Sequence, residues 1–440
     1  MRAAPRASAR VRTDTVPGPE SRRLIAQAAA QEGPAVARQP SIAWRRAAGV
    51  HVEDADGNVF LDFSSSVLVA NVGHCHPRVV QAIREQADEL LHTYNFVNHW
   101  RTELGRRLLE LTAACGFDRV FIGSTGAEMV ELALKLARYA SARSGTLVLD
   151  GGYHGKTLAA TALGGRPESL AGLGELLPGI VRLPFPSADR PDSPQLERAA
   201  LARLQELERD GTAAGIGAVL IEAVQGNAGQ RSASPAFLQA LQAFARRHDA
   251  VFVIDEVQSA FGRTGTLFAY EQFGLSPDLV VAGKGLSSSL PLTVMLGRSR
   301  VFDAAPARTL SSTHGGNPVV CRAACAVLDV IADARLLENA SEVGAALLAG
   351  LRDAVAACGL NAEVRGIGLM IGVELRDEHG EPDSACARAV VHAAISRGLL
   401  LLAPIGLHKN VIRVSPPLVL SEQQAREGVA LLAEAFAEVA

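Results

Sequence analysis

The sequence predicts an α/β fold built on a mostly parallel sheet, and three observations carry that prediction. Val251 to Ile254 and Leu279 to Ala282 are short apolar runs without alternation, bounded by polar or glycine-rich turns. Such runs suit strands covered on both faces. Each delivers one charged residue at its carboxyl end, Asp255 after the first and Lys284 after the second. A third strand ending at Ile122 enters Gly123-Ser124-Thr125-Gly126 and continues at once into a helical repeat of Met129, Leu132, Ala133, Leu136 and Ala137. In open α/β sheets ligands collect at the carboxyl ends of strands, so a carboxylate and an amine are aimed at one crevice.

Composition narrows the class. With 440 residues the chain has room for two or three domains, and 48% apolar residues supply a large core. A net charge of -3 with 20% charged residues points neither to nucleic acid nor to an anionic membrane surface. No apolar run approaches the ~20 residues that span a bilayer. The six cysteines form no zinc spacing and are too few for a disulfide framework, which implies a reducing, cytoplasmic setting. His74-Cys75-His76 resembles a ligand cluster, but adjacent residues converge poorly on one ion, so no metal site is expected.

Taken in order, residues 1–41 hold several prolines and much alanine and arginine, and read as a flexible leader with room for one helix. Gly49 to Phe63 alternates apolar and polar residues around Asp56-Gly57, a hairpin signal. Ser64 to Val72 reads as a loop of small and apolar residues, and His76-Pro77 opens a helix. Another helix is expected from Arg101 to Leu111, and strands at Thr146 to Asp150 and Ala218 to Ala223. Val319 to Ile331, Leu336 to Cys358, Ser384 to Arg397 and Glu422 to Val439 are helical by period, with strands at Met370 to Leu375 and Val411 to Val414. This divides the chain into a small α+β domain of residues 42–70 and 318–440 and a large α/β domain of residues 71–317.

The chemistry-bearing positions admit two readings each. An aspartate and a lysine at two strand ends form either a structural ion pair or the two groups that pyridoxal phosphate needs: an amine to hold its aldehyde and an anion to keep its ring nitrogen protonated. The turn of Ser124, Thr125 and Gly126 at a helix N-terminus is either an ordinary cap or a phosphate cradle. Tyr153 and His154 in GGYHGKT could face a flat cofactor or simply pack, Lys156 could meet an anion, and Glu222 stands near the end of another strand.

The words around these residues resemble the class III pyridoxal-phosphate aminotransferases, the family of 4-aminobutyrate, ornithine and acetylornithine aminotransferases. GHCHPRVVQAI, STGAEMVELALKLAR, GGYHGKT, IEAVQG, FVIDEVQSAFGRTG, SPDLVVAGKGL, STHGGNPVVC, RGIGLMIGVEL and IRVSPPL occur in the family's order across residues 45 to 435. The resemblance implies fold type I for pyridoxal-phosphate enzymes, with a mixed sheet in the large domain. It makes Lys284 the Schiff-base lysine and Asp255 the partner of the pyridine nitrogen. Gln258 would reach the ring's phenolic oxygen, Val257 and Tyr153 would cover its two faces, and Gly126 and Ala127 would hold the phosphate. Ser124, Thr125, His154 and Glu222 complete the expected cofactor set. Thr313 matches a threonine that reaches the phosphate of a neighbouring subunit, implying a homodimer with shared sites. Arg413 matches the arginine that grips a substrate α-carboxylate, as a planar bidentate donor suits.

Departures from the family bear on the substrate. Family members that use glutamate and an ω-amine often carry a glutamate after QG; here Asn227 stands there, so Arg413 lacks a charged partner from that loop. Lys156 replaces the arginine of YHGRT and is a poorer clamp for a distal carboxylate. Val67, with Leu68, Val69, Tyr94 and Phe96, is expected to make an apolar substrate pocket. The implied activity is ping-pong amino transfer between an amino acid or amine and a keto acid or aldehyde. The alternative is an amino-acid racemase or epimerase on the same scaffold.

Overall fold

The structure, a computed structural model, describes residues 8–37, 39 and 42–440. The described residues form two compact units, Arg78–Gly262 with Thr266–Ala332, and a second made of the described residues before Arg78 together with Arg263–Gly265 and Asp333–Ala440.

The larger unit is organised by a seven-stranded sheet in the order Arg119–Gly123, Thr293–Gly297, Leu279–Gly283, Val251–Glu256, Ile216–Ile221, Gly145–Leu149 and Ile180–Leu183. Thr293–Gly297 runs antiparallel to both neighbours and the remaining pairs are parallel. Strand Val251–Glu256 is buried along its whole length, as its unbroken apolar run requires. Helix Gly126–Ser141 lays Met129, Val130, Ala133, Leu136 and Ala137 into one core with Val251, Val253, Leu279, Val281 and Met295. Helix Pro318–Asp333 belongs to this unit, against the expected division at residue 318. The reason is local: Asp329 pairs with Arg107 at 2.6 Å, and Asn317 accepts at its amide oxygen from Val319 N to cap the helix here.

The smaller unit holds two sheets. Trp44–Ala48, His51–Asp54, Val59–Asp62 and Leu399–Leu400 form the first, and Ala362–Ile367, Met370–Leu375 and Val411–Val414 the second. The unit extends to Pro77 rather than residue 70 because the segment after the hairpin bonds back to it, with His74 and Gly49 exchanging backbone bonds at 2.8 and 2.9 Å. His74 also meets Asp62 at 2.7 Å.

The flexible leader expected over residues 1–41 is corrected for the residues described. Arg10 and Val59 exchange backbone bonds at 2.7 and 2.9 Å, and the Asn58 side chain accepts from the Arg12 and Thr13 amides. Helix Pro19–Glu32 is capped from afar: Asp56 accepts from Glu20 N at 2.8 Å and Ser21 N at 2.9 Å. The hairpin turn thus satisfies orphan N–H groups that no local residue could. Residues 1–7, 38, 40 and 41, also covered by that expectation, lie outside the described residues.

The expected loop after the hairpin is a left-handed turn. Ser65, Ser66, Val67 and Leu68 all have φ between 50° and 65°. Left-handed helical backbone costs L-residues about 1–2 kcal/mol each, so this turn persists only because its surroundings over-determine it. Asp62 accepts from Ser64 N at 2.7 Å. Arg263, 0% exposed, donates to Ser65 Oγ at 3.1 Å, Asn71 Oδ1 at 2.7 Å, Leu369 O at 3.1 Å and Pro416 O.

No described helix is long and apolar enough to cross a membrane.

Candidate active site

Two adjacent parallel strands bring the central pair together. Asp255 lies in register with Val281, and Lys284 follows the end of strand Leu279–Gly283 by one residue. Lys284 adopts φ 44°, opening a 3-10 turn, so the chain reverses into a left-handed conformation where the amine is presented. Such a conformation is costly for a non-glycine residue and is found where the surroundings impose it.

Asp255 is buried and doubly held. Oδ1 accepts from Val257 N at 3.0 Å, and Oδ2 lies 2.8 Å from His154 Nδ1. His154 stands behind the carboxylate with its side chain 1% exposed. Burial works against its charge, but the hydrogen bond and negative charge of Asp255 outweigh it and raise the imidazole pKa. The sequence groups His154 with the cofactor contacts; in the structure it bonds Asp255, through which it acts.

Glu222 forms the floor of a second set. It accepts from Tyr153 N at 2.9 Å and from Gln258 Nε2 at 3.2 Å, fixing the two residues expected to touch the ring. Burial pushes its carboxyl up to about 7, while His154 and Lys284 pull the other way. Lys284 is therefore within electrostatic reach of Glu222.

The glycine turn is a capping box. Thr125 Oγ1 accepts from Glu128 N at 3.3 Å, and the Glu128 carboxylate accepts from Ser124 N at 2.9 Å and Thr125 N at 3.3 Å. Ser124 and Thr125 thus spend their amides on Glu128. Gly126 and Ala127 are the first two residues of the helix, where N–H groups lack an intrahelical acceptor and face outward along the positive end of the dipole. A Cβ on Gly126 would stand 3.2 Å from Val257 Cγ1, and one on Gly155 would stand 2.4 Å from Ala127 Cβ. Strand end, helix start and GGYHG loop therefore close on one another with no room for larger residues. Backbone donors in a glycine-lined cradle, beside a buried acid and an amine, fit a phosphate-bearing pyridinium.

The remaining expected positions are dispersed. Lys156 is exposed, next to Thr157, whose hydroxyl bonds Glu131. Asn227 is half-buried and its carbonyl accepts from Arg166 at 3.3 Å. Thr313 is exposed. In the smaller unit Val67 is half-buried within the left-handed turn, and Arg413 is buried on strand Val411–Val414, opposite Gly372. The sequence reading passed over Glu128 and Arg263. The first was legible, since Thr125 and Glu128 have capping-box spacing; an arginine in a glycine-rich turn gives no sign that it will be buried.

A mixed sheet of this order, ending in Asp255 and Lys284 beside that cradle, defines a pyridoxal-phosphate enzyme of fold type I. The family model for class III aminotransferases matches residues 34–436, and the chain belongs to that family. It is 37% identical over 400 residues to a 4-aminobutyrate aminotransferase of Escherichia coli, covering 89% of this chain and 93% of the relative. A 5-aminovalerate aminotransferase of Pseudomonas putida is 36% identical over 394 residues, covering 88% and 92%. Among solved structures, an amine transaminase from an uncultivated Pseudomonas species in its PLP-bound form superposes with a TM-score of 0.86 at 31% identity, covering 93% of this chain and 98% of that one. The protein is a pyridoxal-phosphate-dependent aminotransferase. Every relative named here is a transaminase, which decides for amino transfer over the racemase alternative.

Proposed function

We propose that Lys284 and Asp255 are the catalytic pair of a ping-pong transamination between an amino acid or amine and a keto acid or aldehyde. The observation that carries this is their delivery by adjacent parallel strands, with the acid backed by a buried imidazole. Bound here, pyridoxal phosphate supplies an aldehyde carbon for a substrate nitrogen and a protonated ring that withdraws electrons. Lys284 Nζ would hold that carbon, and its amine, once freed, would take a proton from the substrate's α-carbon and give it back as the general acid. Asp255, with Oδ1 and Oδ2 already oriented, retains acceptor capacity for the pyridine N–H. Gly126 and Ala127 would donate to the phosphate, Val257 and Tyr153 would cover the ring, and Gln258, steadied by Glu222, would reach its phenolic oxygen.

The site belongs to a homodimer in which Thr313 reaches the phosphate of a second copy. Its exposure in the single chain supports this, as does the segment Leu90–Val97, where Phe96 is 78% and Val97 86% exposed. A run of large apolar side chains in water marks a surface made to be covered. All six cysteines are free, which supports a reducing cytoplasmic compartment. Arg413 receives the donor's α-carboxylate. Its relatives act on 4-aminobutyrate and 5-aminovalerate by name. Asn227 and Lys156 weaken the case for a donor with a distal carboxylate here.

Borohydride reduction of the holoenzyme followed by peptide mapping tests the assignment. The phosphopyridoxyl mass is expected on the peptide containing Lys284, with Lys284→Ala unlabelled and forming no keto product. Label on another lysine would overturn it.

A further inference from the structure

The segment that carries Tyr153 and His154 is a closed excursion from Gly151 to Gly165 within the larger unit. Two backbone bonds shut its base, Gly151 N to Gly165 O at 3.1 Å and Gly165 N to Gly152 O at 2.9 Å. Inside it, Tyr153 N is held by Glu222 and the His154 ring by Asp255. Its far side is held by Glu131, a half-buried residue on helix Gly126–Ser141, one turn beyond Ala127. Glu131 Oε1 accepts from the Thr157 hydroxyl and from Ala160 N at 3.3 Å.

That grip takes the place of a local cap. Thr157 is the N-cap of the short helix Leu158–Leu163, where a threonine hydroxyl ordinarily accepts from the second or third helical amide. Thr157 makes no such bond. The third amide, Ala160 N, goes to Glu131 instead, and the Thr157 hydroxyl donates to the same oxygen. The cap therefore comes from the helix whose first amides are open to a phosphate. The two segments also touch closely: a Cβ on Gly155 would lie 2.4 Å from Ala127 Cβ and 3.1 Å from Ala160 Cβ. Gly155 has φ 138°, which L side chains rarely adopt, so a glycine joint separates Tyr153 and His154 from the residues that Glu131 holds.

We propose that Glu131 is a positioning residue, whose carboxylate pins the segment to the phosphate-binding helix and so sets how closely Tyr153 closes over the cofactor ring. It acts through Thr157 and Ala160. The proposal rests on the reading above that Tyr153 covers the ring. With the grip gone, the segment turns about Gly155, the ring loses cover and the cofactor leaves faster.

The test follows the release of pyridoxal phosphate from the holoenzyme over time, together with the visible circular dichroism of the bound cofactor, which reports the asymmetry of its surroundings. Glu131→Ala should speed release about ten-fold, the worth of one hydrogen bond to a charged group, and weaken the dichroism. Glu131→Gln keeps an acceptor oxygen and should hold the increase to about three-fold. Ser234→Ala removes the cap bond to Phe237 N from helix Pro235–Arg247 of the same unit and should leave both readouts at wild type. Release from Glu131→Ala at the wild-type rate would overturn the proposal. So would a glutamine variant no better than alanine, or an equal effect of Ser234→Ala, which would mark general loosening of the unit. Tyr153→Ala separates the two levels. If it leaves the dichroism unchanged, the ring-cover reading has failed; if it changes the dichroism while Glu131→Ala does not, the role of Glu131 has.

Discussion

Replacing His154 separates the two ways in which it supports Asp255. The imidazole lies 2.8 Å from Asp255 Oδ2 in a fully buried setting, and among the described residues the carboxylate's other bond is from Val257 N. A hydrogen bond to a charged group contributes about 1.5–3 kcal/mol, and a neutral one about 1 kcal/mol. His154→Leu removes bond and charge together, so activity should fall by roughly 10- to 150-fold. His154→Asn offers a neutral N–H to the same oxygen and should recover about a third to two thirds of that free energy. The pH dependence gives the sign. The folded-state pKa of His154 is raised, so its charge contributes fully below the ordinary imidazole value and is lost as pH rises through the raised value. The ratio of wild-type to Asn kcat/KM should therefore be largest in acid and shrink toward alkaline pH. The assay is keto-product formation across pH, alongside pyridoxal-phosphate affinity by fluorescence. If Leu and Asn both stay within about two-fold of wild type at every pH, well inside the 10-fold that one charged bond implies, Asp255 does not depend on His154 and the reasoning fails.

Three further outcomes are expected. Glu256 accepts from Ala269 N, Tyr270 N and Ser259 Oγ, and burial pushes its carboxyl up to about 7 from 4.5. Its contribution to stability is complete below 4.5 and disappears as pH rises through 7, a loss on the order of 3 kcal/mol, so Glu256→Gln should flatten Tm against pH over that window. Arg263→Leu removes the donor to four acceptors and should destabilise the smaller unit by about 3–5 kcal/mol, read by urea denaturation; a loss below about 1 kcal/mol would show that the left-handed turn stands without its clamp. If the proposed dimer forms through the exposed apolar segment, Phe96→Asp, which puts a charge there, should yield monomer in sedimentation, with activity lost in parallel; an unchanged assembly would remove that segment from the interface.

Much of this protein is local, and local features are what a sequence displays. Helices Leu336–Cys358 and Glu422–Val439 begin and end at the residues their apolar period indicates, and strands Met370–Leu375 and Val411–Val414 do the same. Asp255 and Lys284 were legible because a fully buried parallel strand has no alternation, leaving the first charged residue at its end conspicuous. Tertiary contact decided the rest. Asp56 caps a helix more than thirty residues earlier in the chain, Arg263 is buried because carbonyls and side chains from distant segments converge on it, and His154 meets Asp255 across 101 positions. A left-handed run through Ser65–Leu68 contradicts the preference of every residue in it. Local preference is a sum over neighbours in the chain, whereas these features exist only once partners far apart in sequence have been brought within a hydrogen bond of each other.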